Sequence, residues 1–180
     1  MKIIVGLGNP DEKYANTRHS IGFEILSKLK GAWDFPDFEF NKKFNAEISK
    51  SSLAGKEVLL VKPQTFMNLS GEAIGKILEF YKLTPDDLIV IHDDLDIVLG
   101  KFKIAVDSGS AGHNGVQNVI ENLGTQKLKR VRIGIGEEVA GAPVCRTDAH
   151  DFVLGKFTEE ELDKLKKISD DILSAVKSLL

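Results

Sequence analysis

Apolar positions along the chain fall into two patterns, unbroken short runs and helical stripes. Ile3-Ile4-Val5, Val58-Leu59-Leu60-Val61 and Leu88-Ile89-Val90-Ile91 are continuous runs, the mark of strands covered on both faces. Between them Ile21, Ile25, Leu26 and Leu29, and later Ile74, Ile77, Leu78 and Tyr81, recur at helix spacing, so each set predicts one buried helix face. Thr17 or Ser20 is a candidate N-cap for the first of these helices. Phe44, Ala46 and Ile48 alternate with polar residues before Ala54-Gly55-Lys56, which predicts a hairpin whose second strand is central. Residues 101–106 alternate as a further strand. Val116, Val119, Ile120 and Leu123 mark a helix stopped by Gly124, and Val131, Ile133 and Ile135 mark a last strand. Residues 31–41, with Trp33, Phe35, Phe38 and Phe40 around Pro36, read as an irregular packed loop, and residues 140–149 as a Gly/Pro-containing one. Thr158 and Glu161 form a capping box for one long terminal helix with Leu162, Leu165, Ile168, Ile172, Val176 and Leu179 as its buried stripe.

The order strand, helix, strand predicts parallel crossovers, hence an α/β sheet whose ligands bind at the carboxyl ends of its strands. At 180 residues, 42% hydrophobic and 28% charged, with no internal repeat or linker, the chain reads as one domain over residues 1–180. No apolar run reaches the roughly 18 residues of a membrane span, and Met1 leads directly into a strand, so the expected compartment is the cytoplasm. Cys145 is the sole cysteine, which excludes an intrachain disulfide and a thiolate cluster. Its Gly/Pro/Ala surroundings make it a poor nucleophile.

The net charge of −3 argues mildly against a large nucleic-acid footprint. Residues 97–136 depart from that balance, with six basic residues (Lys101, Lys103, Lys127, Lys129, Arg130, Arg132) against Asp107 and Glu121. Such a patch can bind phosphate, although scattered solvated lysines are the plainer reading.

Each predicted carboxyl-edge turn carries amide or acid side chains, namely Asn9, Asn68 and Asp93, with Asn114 at the helix entrance that follows a glycine loop. His19 falls at a helix mouth beside the end of the first strand. A histidine there can be a general base, with one ring nitrogen toward substrate and the other on an orienting partner such as Asp93; it can equally be a surface or capping residue. No G-x-S-x-G elbow is present, which points to water as nucleophile. Asn68 and Asn114 suit a reaction at a carbonyl, because their amide groups can donate to a developing oxyanion. Two other readings use the same residues. Asp93, Asp94 and Asp96 form a short acidic string of a kind that can hold magnesium but lacks the glutamate ligand at EF-hand spacing. Gly6-x-Gly8 and Gly109, Gly112 and Gly115 hint at phosphate loops, yet neither completes a dinucleotide fingerprint.

Taken together, GLGNP with Tyr14, TRHSIGF, KPQTFMNLSG, HDDLD, GSAGHNG, RVRIGIG and DFVLGKF, in that order and over almost the whole chain, resemble the bacterial peptidyl-tRNA hydrolase family. The resemblance implies a single-domain twisted mixed sheet flanked by helices, usually monomeric, without a metal or other cofactor and with no membrane or protein partner required. It implies hydrolysis of the ester joining a peptide to the 3′-terminal adenosine of tRNA, with His19 as base and Asp93 as its orienting acid. Asn9, Met67, Asn68 and Asn114 would line the peptide and ester channel, Tyr14, Phe66 and His113 would border it, and Lys103 with Arg132 would grip the tRNA 5′-phosphate. The chain departs from the family pattern at Asp11, where a turn glycine is usual, at Ser20, where an asparagine is usual, and at Glu137 and Glu138, which would weaken tRNA affinity. A non-catalytic RNA-binding protein on the same fold is the competing expectation.

Overall fold

A computed structural model describes residues 1–139, 142–143 and 149–180; for residues 138, 139, 142 and 143 the backbone alone is described. The three apolar runs become neighbouring strands. β1 (Lys2–Gly6) lies between β4 (Lys56–Pro63) and β5 (Leu88–Val98), parallel to both. β3 (Ala46–Leu53) folds back on β4 through Ala54 and Gly55, both left-handed at φ 50° and 78°, the backbone that a two-residue hairpin turn needs. β7 (Lys129–Gly136) pairs parallel with β5, and β6 (Phe102–Ala105) closes that side antiparallel to β7. With β2 (Glu39–Asn41) at the other edge, the seven strands run in the order β2-β3-β4-β1-β5-β7-β6.

Burial on both faces follows from the unbroken runs. Ile3, Val5 and Val61 pack under α2 (Ser70–Tyr81) and α3 (Asn114–Leu123), while Ile4, Leu60 and Ile89 pack under α1 (Ile21–Ala32) and the C-terminal α6 (Ser169–Ser178). A two-stranded ribbon, β8 (Glu138–Val139) with β9 (Ala142–Pro143), follows β7, and α4 (Ala149–Leu154) and α5 (Glu159–Lys167) lead into α6. Cys145 lies outside the described residues. Among the described residues, no helix is long and apolar enough to cross a membrane.

Four sequence expectations need correction. Asp93 does not sit in a turn: β5 continues through the polar His92-Asp93-Asp94 because β7 keeps pairing with it, His92 opposite Arg132 and Asp93 opposite Ile133, before a bulge between Asp94 and Val98. Within residues 31–41, Glu39–Asn41 is a strand, since β3 offers it an open edge. The single terminal helix is two, α5 and α6, broken at Ile168 (φ −100°, ψ 0°), where the Ser169 hydroxyl donates to the Leu165 carbonyl and competes with the helix ladder. Leu162, placed on the buried stripe, is 40% exposed as a result, whereas Leu165, Ile172 and Val176 are buried.

The approach of α1 to the sheet decides where the following site can form. Gly22 lies so close to the strand ends that a Cβ there would fall 2.4 Å from the Leu7 nitrogen and 2.6 Å from the Ile91 carbonyl oxygen. Both are backbone atoms that cannot step aside. Gly22→Ala should therefore destabilise the fold by about 3 kcal/mol or more, beyond the usual cost of overpacking. Urea unfolding will measure it, and a change below about 0.5 kcal/mol, the range of an ordinary surface substitution, would contradict this packing.

Candidate active site

The site grows from three short turns at the carboxyl edge. After β1 the chain turns at Asn9, whose side-chain oxygen accepts the Met67 N–H at 2.9 Å and whose own N–H donates to the Ser20 hydroxyl at 3.3 Å. One asparagine thus ties the 3-10 turn Arg18–Ser20 to the 3-10 turn Met67–Leu69. Thr17 and Ser20 do precede helical turns, but neither hydroxyl caps one. Thr17 donates to the Tyr14 carbonyl at 2.8 Å, and Ser20 serves Asn9. Serine at position 20 therefore has a positive role here. Asp11 sits at φ −66°, a conformation open to any residue, so the absent glycine costs the turn nothing.

From this turn His19 reaches Asp93, with Nδ1 at 3.0 Å from both carboxylate oxygens. The same carboxylate has a second histidine on it: His113 Nε2 lies 3.0 Å from Oδ1. A carboxylate only accepts, so both ring nitrogens donate. His113 also N-caps α3, its Nδ1 accepting the Val116 N–H at 3.2 Å, which fixes its proton on Nε2. His92 adds a third contact, donating from Nδ1 to the Asp93 carbonyl at 2.7 Å. The three rings pack in sequence, His19 to His113 and His113 to His92, each with centroids 4.8 Å apart.

Charge follows from this arrangement. Burial by itself would raise the Asp93 carboxyl, but His19 and His113 overcome it and hold it far below the ordinary carboxylate range. For His19, burial works to lower the pKa and is outweighed by the Asp93 charge and hydrogen bond, so the net shift is upward. His92, fully enclosed with His113 beside it, is pushed well below the ordinary value and stays neutral. With Nδ1 committed to Asp93, neutral His19 presents a bare Nε2, and its side chain is slightly exposed at the mouth of the site.

The other sequence-assigned residues surround this centre at different depths. Met67 is buried beneath the first turn of α3, close enough that a Cβ on Gly115 would lie 2.4 Å from its sulfur. Asn68 and Asn114 have exposed side chains, the one in the Met67–Leu69 turn and the other as the first residue of α3 beside His113. Phe66 is 52% exposed, and Tyr14 is half-buried under the Lys13 ammonium. Lys103 and Arg132 face each other across β6 and β7, with Lys103 exposed and the Arg132 Nε donating to Asp94 at 2.6 Å.

That last contact removes the magnesium reading. Asp93 is turned to the histidines and Asp94 to Arg132, so the acidic string does not converge. Among the described residues, His19, Asp93 and His113 offer ligand atoms within 4.8 Å of one another, but those atoms already bind each other, and a cation would have to displace two histidine protons.

Arg130 was not singled out by its sequence. It is fully buried, donating to the Ser108 carbonyl at 2.7 Å and the Gly109 carbonyl at 2.9 Å, with the Ser108 hydroxyl and His92 Nε2 also in contact. It thereby anchors the start of the glycine loop that delivers His113 and Asn114. The alternation of arginines with apolar residues in β7 reads as a strand with one solvated face, so the sequence carries no signal for the burial of Arg130.

An open α/β sheet with a carboxylate-held histidine and a bare ring nitrogen at its carboxyl edge has the equipment of a general-base hydrolase. The profile of the family described as Peptidyl-tRNA hydrolase matches residues 3–180. The peptidyl-tRNA hydrolase of Bacillus subtilis is 41% identical over 181 residues, covering 100% of this chain and 92% of its own length. That of Brevibacillus brevis is 45% identical over 161 residues, covering 89% and 82%. A crystal structure of peptidyl-tRNA hydrolase from Acinetobacter baumannii superposes with a TM-score of 0.90 at 32% identity, over 99% of this chain and 88% of that one. The chain belongs to the peptidyl-tRNA hydrolase family.

The electrostatics can be checked without substrate. In an NMR titration of the imidazoles, His19 should gain its proton above pH 6.5, its unperturbed value, while His92 stays neutral through the mildly acidic range. A His92 that titrates ordinarily, or a His19 that titrates below its unperturbed value, would show that the carboxylate is not placed as described.

Proposed function

We propose that this protein hydrolyses peptidyl-tRNA at the ester joining the peptide to the 3′-terminal adenosine, with His19 as general base, recycling the tRNA. The observation that carries this reading is the Asp93 contact on His19 Nδ1, which leaves Nε2 as the proton acceptor. Nε2 takes a proton from water as the water oxygen attacks the ester carbonyl. Asp93 stabilises the imidazolium, which then returns the proton to the departing 3′-oxygen, so that peptide acid and tRNA leave with the base restored. An alkoxide is a far better leaving group than an amide anion, so an ester needs less help than a peptide bond and one histidine with amide donors is sufficient. Asn114, next to His113 in the chain, positions the water, and Asn68 with Asn9 and Met67 lines the path of the peptide, bordered by Tyr14, Phe66 and His113. Neutral amides accommodate a peptide backbone and give no counter-charge to a free amino group, which favours N-blocked substrates.

The tRNA is held by its 5′-phosphate between Lys103 and Arg132. Asp94 orients the Arg132 guanidinium from the side of Nε and moderates its charge. The protein acts in the cytoplasm as a monomer of one domain, with tRNA as its partner and no cofactor. An RNA-binding protein without turnover would have no use for a fixed histidine tautomer, which favours the enzyme.

Release of N-acetyl-amino acid from N-acetyl-aminoacyl-tRNA tests this reading. His19→Ala should lower kcat by about 10³-fold with tRNA binding retained, in the range of a lost general base. Activity should fall as pH drops through the raised pKa of His19, because the protonated ring cannot accept a proton. Lys103→Ala should raise KM for tRNA substrates and spare short ester fragments, and binding should weaken as salt rises, because phosphate contacts release counterions. Tight tRNA binding with no release by the native protein would make it an RNA-binding relative.

A further inference from the structure

The DFVLGKF stretch has no chemistry of its own, yet it meets the residue next to the proposed base. Arg18 is only 8% exposed. Its Nη2 donates to both oxygens of Glu161 at 2.8 Å each, and its Nη1 reaches the Phe152 carbonyl at 3.5 Å. The guanidinium carbon stands 4.3 Å from the centre of the Phe152 ring and 5.5 Å from that of Phe157. The backbone joins in, since the Arg18 N–H donates to the Gly155 carbonyl at 3.0 Å and Thr17 forms an antiparallel bridge with Lys156. Gly155 leaves room for this contact: a Cβ there would lie 2.8 Å from Arg18 Nη1, so the guanidinium would have to shift.

Glu161 has two tasks. Its Oε2 also accepts the Thr158 N–H at 2.8 Å, closing the capping box that starts α5. Burial would raise this carboxyl, but Arg18 and Thr158 hold it below its ordinary value. On the far side of His19, Ser20 is bound to the Asn9 N–H. His19 is therefore the middle of three residues whose neighbours are both fastened, one to the end of β1 and one to the C-terminal segment.

We propose that Arg18 is a positioning residue: its clasp on Glu161, Phe152 and Gly155 holds the turn that keeps His19 in register with Asp93. The C-terminal helices thereby serve the reaction as well as the core. One guanidinium nitrogen meets Glu161 while the other reaches the Phe152 carbonyl and the group stacks on the Phe152 ring, a spread of contacts that a single ammonium cannot reproduce, so lysine cannot replace it fully. The clasp acts on a base whose displacement by about 1 Å can cost 10²-fold in rate. It does not touch the residues proposed to hold tRNA, so the loss should fall on kcat.

The test compares Arg18→Lys and Glu161→Gln with Ile172→Val, a buried α6 change away from the turn, well below each protein's unfolding transition. Both clasp variants should lose about tenfold in kcat on N-acetyl-aminoacyl-tRNA, with KM little changed. Their pH profiles should shift to lower pH as the Asp93 contact that raises His19 loosens. Ile172→Val should lower thermal stability and leave kcat and the profile as they were. Clasp variants that lose no more kcat than Ile172→Val, or that lose only in KM, would overturn the proposal. Glu161→Gln keeps the test decisive if Arg18→Lys fails to fold. The inference rests on His19 being the base. If His19→Ala is inactive while the clasp variants match the control, the inference alone fails; if His19→Ala is fully active, the underlying reading fails with it.

Discussion

The Asp93 carboxylate, accepting from His19 and His113 together, is the contact on which the rest of the site depends. A buried carboxylate is stable only when its acceptors are filled, and two imidazole N–H groups fill them here. That requirement explains features otherwise unrelated. β5 must run on past its apolar stretch to carry Asp93 into position, and β7 supplies the pairing that lets it do so. The α1 backbone must touch the strand ends, which is why Gly22 has no room for a side chain. α3 must begin directly after His113, which caps the helix with one nitrogen and holds the acid with the other.

A second tier keeps this arrangement from drifting. His92, neutral and enclosed, links the Asp93 carbonyl to the buried Arg130, and Arg130 grips the start of the glycine loop. Its guanidinium has carbonyl and hydroxyl partners from that loop in place of a carboxylate. On the opposite side Arg18 binds the C-terminal segment. The proposed base stands between two anchored arginines and takes no direct bond from either.

Much of the architecture was legible in the apolar pattern. The three continuous runs and the stripes of α1, α2 and α3 translate directly into central strands and covering helices, because burial on two faces or on one leaves different periods. The misreadings share a cause. β5 past Ile91, the short β2 and the break at Ile168 depend on which edge or ladder lies nearby, and no local pattern records that. At the site, His19 and Asp93 stood out because the histidine falls at a helix mouth beside the end of the first strand and the acid follows an apolar run. His113 was legible only as a neighbour of the cleft, since its dual use of the two ring nitrogens is a matter of three-dimensional placement. Arg130 and Arg18 were hidden for the same reason: a buried arginine in sequence looks like an exposed one until its acceptors are known.

The measurement that bears most directly on the account is kcat for Asp93→Asn. The amide has the shape of the acid, but its NH2 can donate to His19 Nδ1, favouring the tautomer that carries its proton on Nε2, and it gives no charge to stabilise an imidazolium. A fall in kcat of about 10³-fold or more is expected, as for the orienting acid of a catalytic triad, with tRNA affinity nearly unchanged. A kcat within a few-fold of the native protein's would contradict it.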